Sequence, residues 1–288
     1  MATTRAFQLS TVSCGDFNLA GYSVAGEETV ICAPELDVVF DIGRAPRECL
    51  AINHLLLSHG HIDHAAGIGY YFSQRDFQGI SGGTALVPQA LVDPLNGLMA
   101  AWARVEGHAS PHRIIGMDPG DDFEIRRNLI ARAFATRHVG PTLGFSVIDV
   151  RYKLKEEFFG LEGPELVELK QKGVEITRRL EVPLVSYLGD TAKANYSELP
   201  HVRDSRVLLI ECTFFDDEHV RRARLGKHMH VNDLAAVLEG MNNEKVILTH
   251  LTRRTYMSAA RKQLRKTLSD EQLERIVFLM SRKYIESD

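Results

Sequence analysis

Three histidines and one aspartate lie within six positions of this chain, in the segment 59–64 (HGHIDH). The segment directly follows the apolar run 55–57 (LLL), which predicts a buried strand that ends in a turn. Imidazole nitrogens and carboxylate oxygens are ligands that zinc prefers in proteins. A polar loop with scattered histidines is the alternative, but this density favours a metal site where a strand gives way to a helix.

Three further residues of metal-ligand type each come within two positions of the end of an apolar run: His138, Asp190 and His250, after 131–136, 184–188 and 246–249. A single histidine after a strand is more often an ordinary loop residue. Ligands at the ends of separate strands, however, share one edge of a sheet and are held by a rigid scaffold. Together with the complete motif, these residues predict one converging site.

Seven candidate ligands are too many for one tetrahedral ion and suit two. They divide into two groups that share a bridging carboxylate: His59, His61 and His138 for the first ion, Asp63, His64 and His250 for the second, and Asp190 between them. We expect two Zn²⁺ because the ligands are rich in nitrogen, with Mn²⁺ as an alternative because of the carboxylates. Two divalent ions roughly 3.5–4 Å apart suit hydrolysis of a phosphodiester.

A further carboxylate and histidine could supply acid catalysis. Glu211 ends the apolar run 207–210, and His228 lies in the segment 227–230 (KHMH), just before a predicted helix. Departure of a leaving group from phosphorus requires a proton donor, and a histidine kept charged by a carboxylate can supply the proton. We predict His228 as the acid and Glu211 as its orienting partner, while His230 could compete for that role. The alternatives are a surface salt bridge for Glu211 and a polar helix start for the histidines.

The order of the predicted elements points to an α/β fold. Strands are predicted at 19–24, 29–32, 38–43, 84–87, 123–136, 143–153, 184–188, 207–210, 246–249 and 275–279, and helices at 65–75, 88–105, 163–173, 231–240 and 255–268. Strands first, and strand–helix alternation later, predict two packed mixed sheets with helices on the outer faces. No linker or low-complexity segment interrupts the chain, so we expect a single domain over residues 1–288.

Charge and cysteine usage bound the cellular setting. The net charge of −4 argues against a generally basic nucleic-acid binder, although two basic clusters occur, at 221–227 and 253–266. The four cysteines form no C-x-x-C pair, which indicates reduced core thiols. Residues 1–10 lack the apolar region of a signal peptide, and no run is long enough to span a membrane. We therefore expect a cytoplasmic protein that does not associate with membranes.

The segment 59–64 resembles the signature of the metallo-β-lactamase superfamily, whose αβ/βα sandwich agrees with the element order above. Within it the chain is similar to the ribonuclease Z (tRNase Z) branch, and to its short plant-type form in particular. The resemblance is carried by segments spread over most of the chain: 40–46, 59–64, 138–141, 152–155, 173–177, 189–191, 211–214, 228 and 249–254.

This resemblance implies a metal-dependent endoribonuclease that removes the 3′ trailer of precursor tRNA. It implies that Asp63 also helps to position the nucleophilic water, and that Arg254 binds a substrate phosphate. Family members usually work as homodimers in which one subunit holds tRNA for the other's active site. The chain departs from the family pattern in three ways: 139–189 contains no long Gly/Pro-rich arm, 13–16 (SCGD) stands where the family has a glycine-rich turn, and Lys227 replaces the glycine expected before the catalytic histidine.

Three alternative functions stay open from the sequence. A small-molecule phosphodiesterase is compatible with the acidic net charge and the missing arm. A thioesterase or lactonase of the same superfamily would not need Glu211, His228 or Arg254, so these residues count against it. A non-catalytic scaffold in an RNA-processing assembly is the least favoured, because degenerate members usually lose ligands and all seven are present here.

Overall fold

Two seven-stranded sheets lie face to face at the centre of the molecule. The computed structural model describes residues 9–279. The segment 1–8, most of the region tested for a signal peptide, and the segment 280–288 lie outside the described residues, as do both ends of the predicted domain.

The first sheet is built from the N-terminal half of the chain. Its strands are β1 (Ser10–Ser13), β2 (Asn18–Val24), β3 (Glu28–Ala33), β4 (Val38–Phe40), β5 (His54–Leu56), β6 (Thr84–Pro88) and β7 (Arg113–Met117). They follow one another in the sheet in chain order, antiparallel from β1 to β4 and parallel from β4 to β7. The helices of this half are α1 (Ile62–Ala65), α2 (Ile68–Phe77) and α3 (Val92–Glu106).

The second sheet repeats this arrangement. Its strands are β8 (Asp122–Arg126), β9 (Leu129–Ala135), β10 (Leu143–Leu154), β11 (Thr177–Tyr187), β12 (Val207–Glu211), β13 (Lys245–Thr249) and β14 (Ile276–Phe278). They are antiparallel from β8 to β11 and parallel from β11 to β14. The helices of this half are α4 (Gly163–Gln171), α5 (Pro200–Arg203), α6 (Val220–Gly226), α7 (Val231–Leu238), α8 (Met257–Thr267) and α9 (Asp270–Glu274).

Strand residues of both sheets alternate between two apolar layers. In β12, Val207 and Leu209 belong to the layer between the sheets, whereas Leu208 and Ile210 pack in the layer that contains the helices. Successive side chains of a strand point to opposite faces, so a strand covered on both faces is apolar throughout. This explains the unbroken apolar runs in the sequence, and the structure confirms the predicted sandwich of two mixed sheets with outer helices.

The predicted strand at 123–136 is wrong, because the chain turns back within it. The structure has a hairpin there, in which β8 pairs with β9 and the turn lies at Arg127 and Asn128. Asn128 takes φ +67, a left-handed conformation that asparagine tolerates in tight turns. Similar strand-forming residues on both sides of these two positions concealed the turn. The short strands β1 and β7 were also not predicted.

Strands β10 and β11 continue as a two-stranded ladder beyond their other neighbours. β9 pairs with β10 only as far as Asp149, and β12 pairs with β11 only from Val185. The free part of this hairpin ends in α4, so the region between His138 and Asp190 forms an ordered extension rather than a Gly/Pro-rich arm. In the described part of the chain, no helix has both the length and the apolar character needed to cross a bilayer.

Candidate metal centre and active site

The first predicted group of ligands meets at the edge where β5 and β9 end. His59 Nε2 lies 3.0 Å from His61 Nδ1, and His138 Nε2 lies 3.2 Å from the same His61 atom. Lone pairs on facing imidazoles repel each other, so nitrogens this close either share a proton or bind a common cation. Burial, with the charge of His64 next, lowers the pKa of His59 to about 2, and burial also lowers the pKa of His138. Burial therefore favours the neutral form of these two rings, which is the form in which an imidazole binds a metal.

The second group lies beside the first. His250 Nε2 is 3.3 Å from Asp63 Oδ2, and His64 Nε2 is 3.8 Å from that oxygen. His250 has a left-handed backbone, with φ +58, and its N–H donates to Ser23 Oγ at 2.8 Å. This bond ties the loop after β13 to β2. Burial would raise the pKa of Asp63, but the hydrogen bond with His250 and the charges of His64 and His250 together outweigh it and lower that pKa, so the carboxylate is ionised.

One carboxylate oxygen is near both groups. Asp190 Oδ2 lies 3.8 Å from Nε2 of His59 and 3.8 Å from Nε2 of His138. It lies 3.4 Å from His64 Nε2 and 3.3 Å from His250 Nε2. Burial opposes ionisation of Asp190, yet the neighbouring imidazoles hold its pKa well below the usual value. All seven predicted ligands thus lie in one cluster, and Asp190 is near histidines of both groups.

The close approach of the two sheets at this point depends on Gly189. This residue has φ +60, and a Cβ on it would lie only 2.7 Å from Ser58 Cβ. Ser58 precedes His59. A side chain at position 189 would therefore separate Asp190 from the histidine loop.

The donor set fits a metal ion. Ligands around a tetrahedral zinc lie roughly 3.3 Å from one another, given metal–ligand distances of roughly 2.0–2.1 Å, and the separations above range from 3.0 to 3.8 Å. The buried His64 Nε2 has no hydrogen-bond partner among the described residues. An unpaired buried nitrogen is costly, and one directed at carboxylates and imidazoles is suited to a cation.

Sequence reasoning missed the role of Asp41, which holds His64 from behind. Asp41 Oδ2 lies 2.6 Å from His64 Nδ1, and it accepts hydrogen bonds from the hydroxyls of Ser58 at 2.8 Å and Tyr187 at 2.5 Å. A carboxylate on one ring nitrogen fixes the histidine tautomer, so that the other nitrogen faces a metal. Asp41 follows the apolar run 38–40. The rule that found Asp190 could therefore have found it.

Glu211 and His228 form the pair that the sequence predicted. His228 Nδ1 is 3.0 Å from Glu211 Oε1, which also accepts the Thr191 N–H at 2.7 Å. Burial alone would lower the pKa of His228, but the Glu211 carboxylate outweighs it and raises that pKa to about 9. Glu211 Oε2 accepts the Thr213 hydroxyl, whose oxygen lies 3.0 Å from His250 Nδ1. Glu211 is therefore linked both to His228 and to the metal cluster.

His230 does not join this arrangement. It is buried, its Nε2 lies 2.9 Å from the Asp216 carbonyl oxygen, and its Nδ1 accepts the Asn232 N–H. It thus caps the first turn of α7. The sequence offered His230 as a competitor of His228, but in the structure Nδ1 of His230 caps the helix and Nε2 is bonded to the Asp216 carbonyl oxygen.

The cluster opens into a cavity of about 1330 Å³. Asp63, Asp190, His228 and His250 line its floor, and Arg254 lines its wall as the sequence-based assignment requires. Further lining residues lie on or near α6 and in the loops that carry Glu27 and Arg253: His219, Arg221, Arg222, Leu225, Gly26 and Thr252. The cavity exceeds the roughly 300–1,000 Å³ of sites for drug-sized ligands. It can therefore accommodate a substrate that extends beyond one reacting group.

Comparisons with known proteins agree with this geometry. Residues 36–251 match the beta-lactamase superfamily domain. The tRNase Z TRZ1 of Arabidopsis thaliana is 34% identical over 245 residues, which are 83% of this chain and 86% of that protein. Among solved structures, the metallo-beta-lactamase fold protein YhfI from Bacillus subtilis has a TM-score of 0.63 at 14% identity and covers 90% of this chain and 94% of its own. Human tRNase Z, short form, has a TM-score of 0.56 at 13% identity and covers 96% and 95%.

The fold and the histidine–aspartate cluster thus define a metal-dependent hydrolase of the beta-lactamase superfamily. At this identity and coverage, the chain belongs to the ribonuclease Z family within it. The two solved structures are too distant in sequence to show more than the shared fold.

Proposed function

We propose that this chain is a dinuclear zinc endoribonuclease that removes the 3′ trailer of precursor tRNA. The proposal is supported by the relationship to tRNase Z proteins of Arabidopsis thaliana. The structural observation that carries it is the Glu211–His228 pair, held at 3.0 Å beside the cluster. Such a pair suits cleavage of a phosphodiester, where a poor leaving oxygen needs a proton.

The two groups described above would hold the two ions, with Asp190 between them. When bound, two divalent cations lower the pKa of water and neutralise charge on phosphoryl oxygens. Zinc suits the nitrogen-rich donor set, and Mn²⁺ is the alternative because of the carboxylates. Asp41 orients His64, and Thr213 contacts the outward nitrogen of His250, so the chain itself fixes the direction of both rings.

His228 acts as the proton donor in this proposal. Glu211 accepts from its Nδ1, so the other ring nitrogen faces the cavity and can give a proton to the leaving oxygen. With a pKa raised to about 9, the ring is protonated at neutral pH. Glu211 is completely buried and cannot reach the substrate, which makes it a positioning residue.

Asp63 and Arg254 complete the proposed site. The Gly26 N–H donates to Asp63 Oδ2 at 2.8 Å, which holds the carboxylate at the cavity floor, where it can orient an attacking water. Arg254 is exposed on the cavity wall, and no ion pair with another described residue neutralises it. Its guanidinium can bind a phosphate oxygen bidentately. Hydrolysis of a thioester or a lactone would need neither Arg254 nor the Glu211–His228 pair, so these residues favour a phosphodiester substrate.

The oligomeric state, the cellular location and the domain organisation are expected from the family resemblance and the sequence. A homodimer, a cytoplasmic location and a single domain over residues 1–288 stay predictions. So does the distinction between precursor tRNA and a small phosphodiester, which the experiment below decides.

The test is incubation of the purified protein with an unprocessed tRNA transcript, with and without a chelator, and mapping of any cut to the nucleotide. We expect one cut directly after the discriminator base, lost with the chelator and restored by Zn²⁺ or Mn²⁺. Hydrolysis of bis(p-nitrophenyl) phosphate without any cut in the transcript would instead assign a small-molecule phosphodiesterase. Absence of both activities in a protein that binds two equivalents of metal would contradict both functions.

A further inference from the structure

The basic cluster at 221–227 is divided by the fold. Arg221 and Arg222 line the cavity that holds the metal cluster, and so does Leu225. Arg224 is exposed on the same helix but does not line the cavity. Residues three and four apart share a helix face, which places Leu225 beside both Arg221 and Arg222. One face of α6 is therefore the wall of the active-site cavity, next to His228.

An aromatic ring lies beneath one of these arginines. The Arg222 guanidinium carbon is 5.8 Å from the centroid of the Phe214 ring, within the range of a cation–π contact. Phe214 is only 7% exposed, and its backbone is fixed by hydrogen bonds with Met229 and Val231. The ring is thus a rigid support for a guanidinium that faces the cavity.

The charged residues near the Phe214 ring leave the Arg222 guanidinium available to contact a substrate. Arg253, which also lines the cavity, is paired with Glu27 at 2.7 Å. Neither Arg221 nor Arg222 forms an ion pair with a residue of 9–279, and Glu218 is the carboxylate that shares their wall. A planar cation supported on one face by an aromatic ring, with an apolar side chain beside it, suits a nucleobase and its phosphate.

We propose that α6 forms a subsite for the nucleotide that flanks the scissile phosphate. The base stacks on the Arg222 guanidinium and contacts Leu225, the edge of the same guanidinium pairs with the adjoining phosphate, and Arg221 adds positive charge to this wall of the cavity. Phe214 is a positioning residue, because its ring lies beneath the Arg222 guanidinium and acts on the nucleotide through it. The subsite rests on the proposed function, since it assumes that the substrate is a polynucleotide.

The test measures binding of a fluorescein-labelled, single-stranded RNA hexanucleotide with hydrolysis-resistant phosphorothioate linkages. Fluorescence anisotropy on the metal-loaded protein gives the affinity at several salt concentrations. For R222Q we expect roughly tenfold weaker binding, from the loss of one stacked base. The slope of log affinity against log salt should fall by about 0.7, since one phosphate contact of a single strand is lost.

Two variants serve as controls. R224Q removes an equal charge from the same helix outside the cavity, so its affinity and salt slope should equal those of the wild type. F214L keeps the Arg222 charge and most of the buried volume, so it should weaken binding without changing the slope. Melting curves of all three variants check that they fold.

The outcomes separate this inference from the proposed function. If the hexanucleotide does not bind, or if R222Q and R224Q behave alike, the subsite is wrong even if precursor tRNA is cleaved. If R222Q alone changes the affinity and the slope but precursor tRNA is not cleaved, the subsite stands and the proposed tRNA substrate is wrong.

Discussion

The first sheet and the second sheet have the same strand directions, antiparallel at the start and parallel at the end, but they supply the site differently. The first contributes four predicted ligands from one loop and short helix after β5, at 59–64. The second contributes three ligands from separate loops, after β9, β11 and β13. Ligands close in the chain can be arranged by local geometry, whereas separate loops meet only when the whole sheet has formed.

A buried carboxylate positions a histidine in each half. Asp41, after β4, contacts His64, and Glu211, at the end of β12, contacts His228. The difference lies in what the histidine then faces. His64 faces the other predicted ligands. His228 differs because its ring also lines the cavity. One pair is therefore suited to orienting a metal ligand, and the other to proton transfer.

The largest loss of activity is expected for substitution of Asp190, the residue that lies near both groups of predicted ligands. D190N removes the negative charge near both ligand groups, so we expect the bound metal to fall below two equivalents and cleavage of precursor tRNA to fall by roughly 1,000-fold, given that metal catalysis is worth several kcal/mol. Elemental analysis and single-turnover cleavage check this. Two equivalents of metal in D190N at wild-type affinity would remove Asp190 from the bridging position.

H228A distinguishes the role of the Glu211–His228 pair from that of the Asp41–His64 pair. Loss of a general acid lowers the rate by roughly 10²–10⁴-fold, while the metal content should stay that of the wild type, because His228 belongs to the pair that faces the cavity. Cleavage rate and metal analysis of the same preparation give the result. A wild-type rate would show that another group supplies the proton.

D41N tests the corresponding pair of the first sheet. Loss of the charge behind a ligating histidine lowers metal affinity or activity by roughly 10–100-fold. Unlike H228A, this variant should recover activity when excess Zn²⁺ is added. Titration of activity against Zn²⁺ distinguishes the two variants, and a defect in D41N that Zn²⁺ does not relieve would contradict the assignment.

E211Q should change the pH dependence more than the maximal rate. The pKa of His228 is raised to about 9, so its proton is present at neutral pH and is lost as the pH rises through that value. Glutamine keeps a hydrogen-bond acceptor but not the charge, so the pKa of His228 falls and the alkaline loss of activity moves to lower pH. Profiles of kcat against pH for the wild type and E211Q measure the shift. An unmoved alkaline limb would exclude His228 as the titrating acid.

The smallest effect is expected for H230N. Asparagine also caps helices well, so this variant should cut precursor tRNA within roughly twofold of the wild-type rate, with about 1 kcal/mol of stability lost with the bond to Asp216. Cleavage assays and urea denaturation check both values. A loss as large as that of H228A would return His230 to the chemistry.

The contrast between the sheets also explains what the sequence could predict. The ligands at 59–64 are visible as a motif, and those of the second sheet could be placed because each follows an apolar run. Asp41 follows such a run too, but its task depends on His64, which reaches it across 23 positions of the chain. Likewise, His228 and His230 are only two positions apart in the sequence. Because His230 is the N-cap of α7, it is His228 that lines the cavity, and the sequence alone did not show where the helix begins.

The ladder of β10 and β11 offers a labelling position far from the candidate metal cluster. β11 runs from the far end of this extension toward Asp190, and its eleven residues span roughly 35 Å. Val167 in α4 is exposed at the far tip. A dye attached through a cysteine at position 167 would report rotational diffusion and encounters with large molecules while leaving the chemical centre untouched.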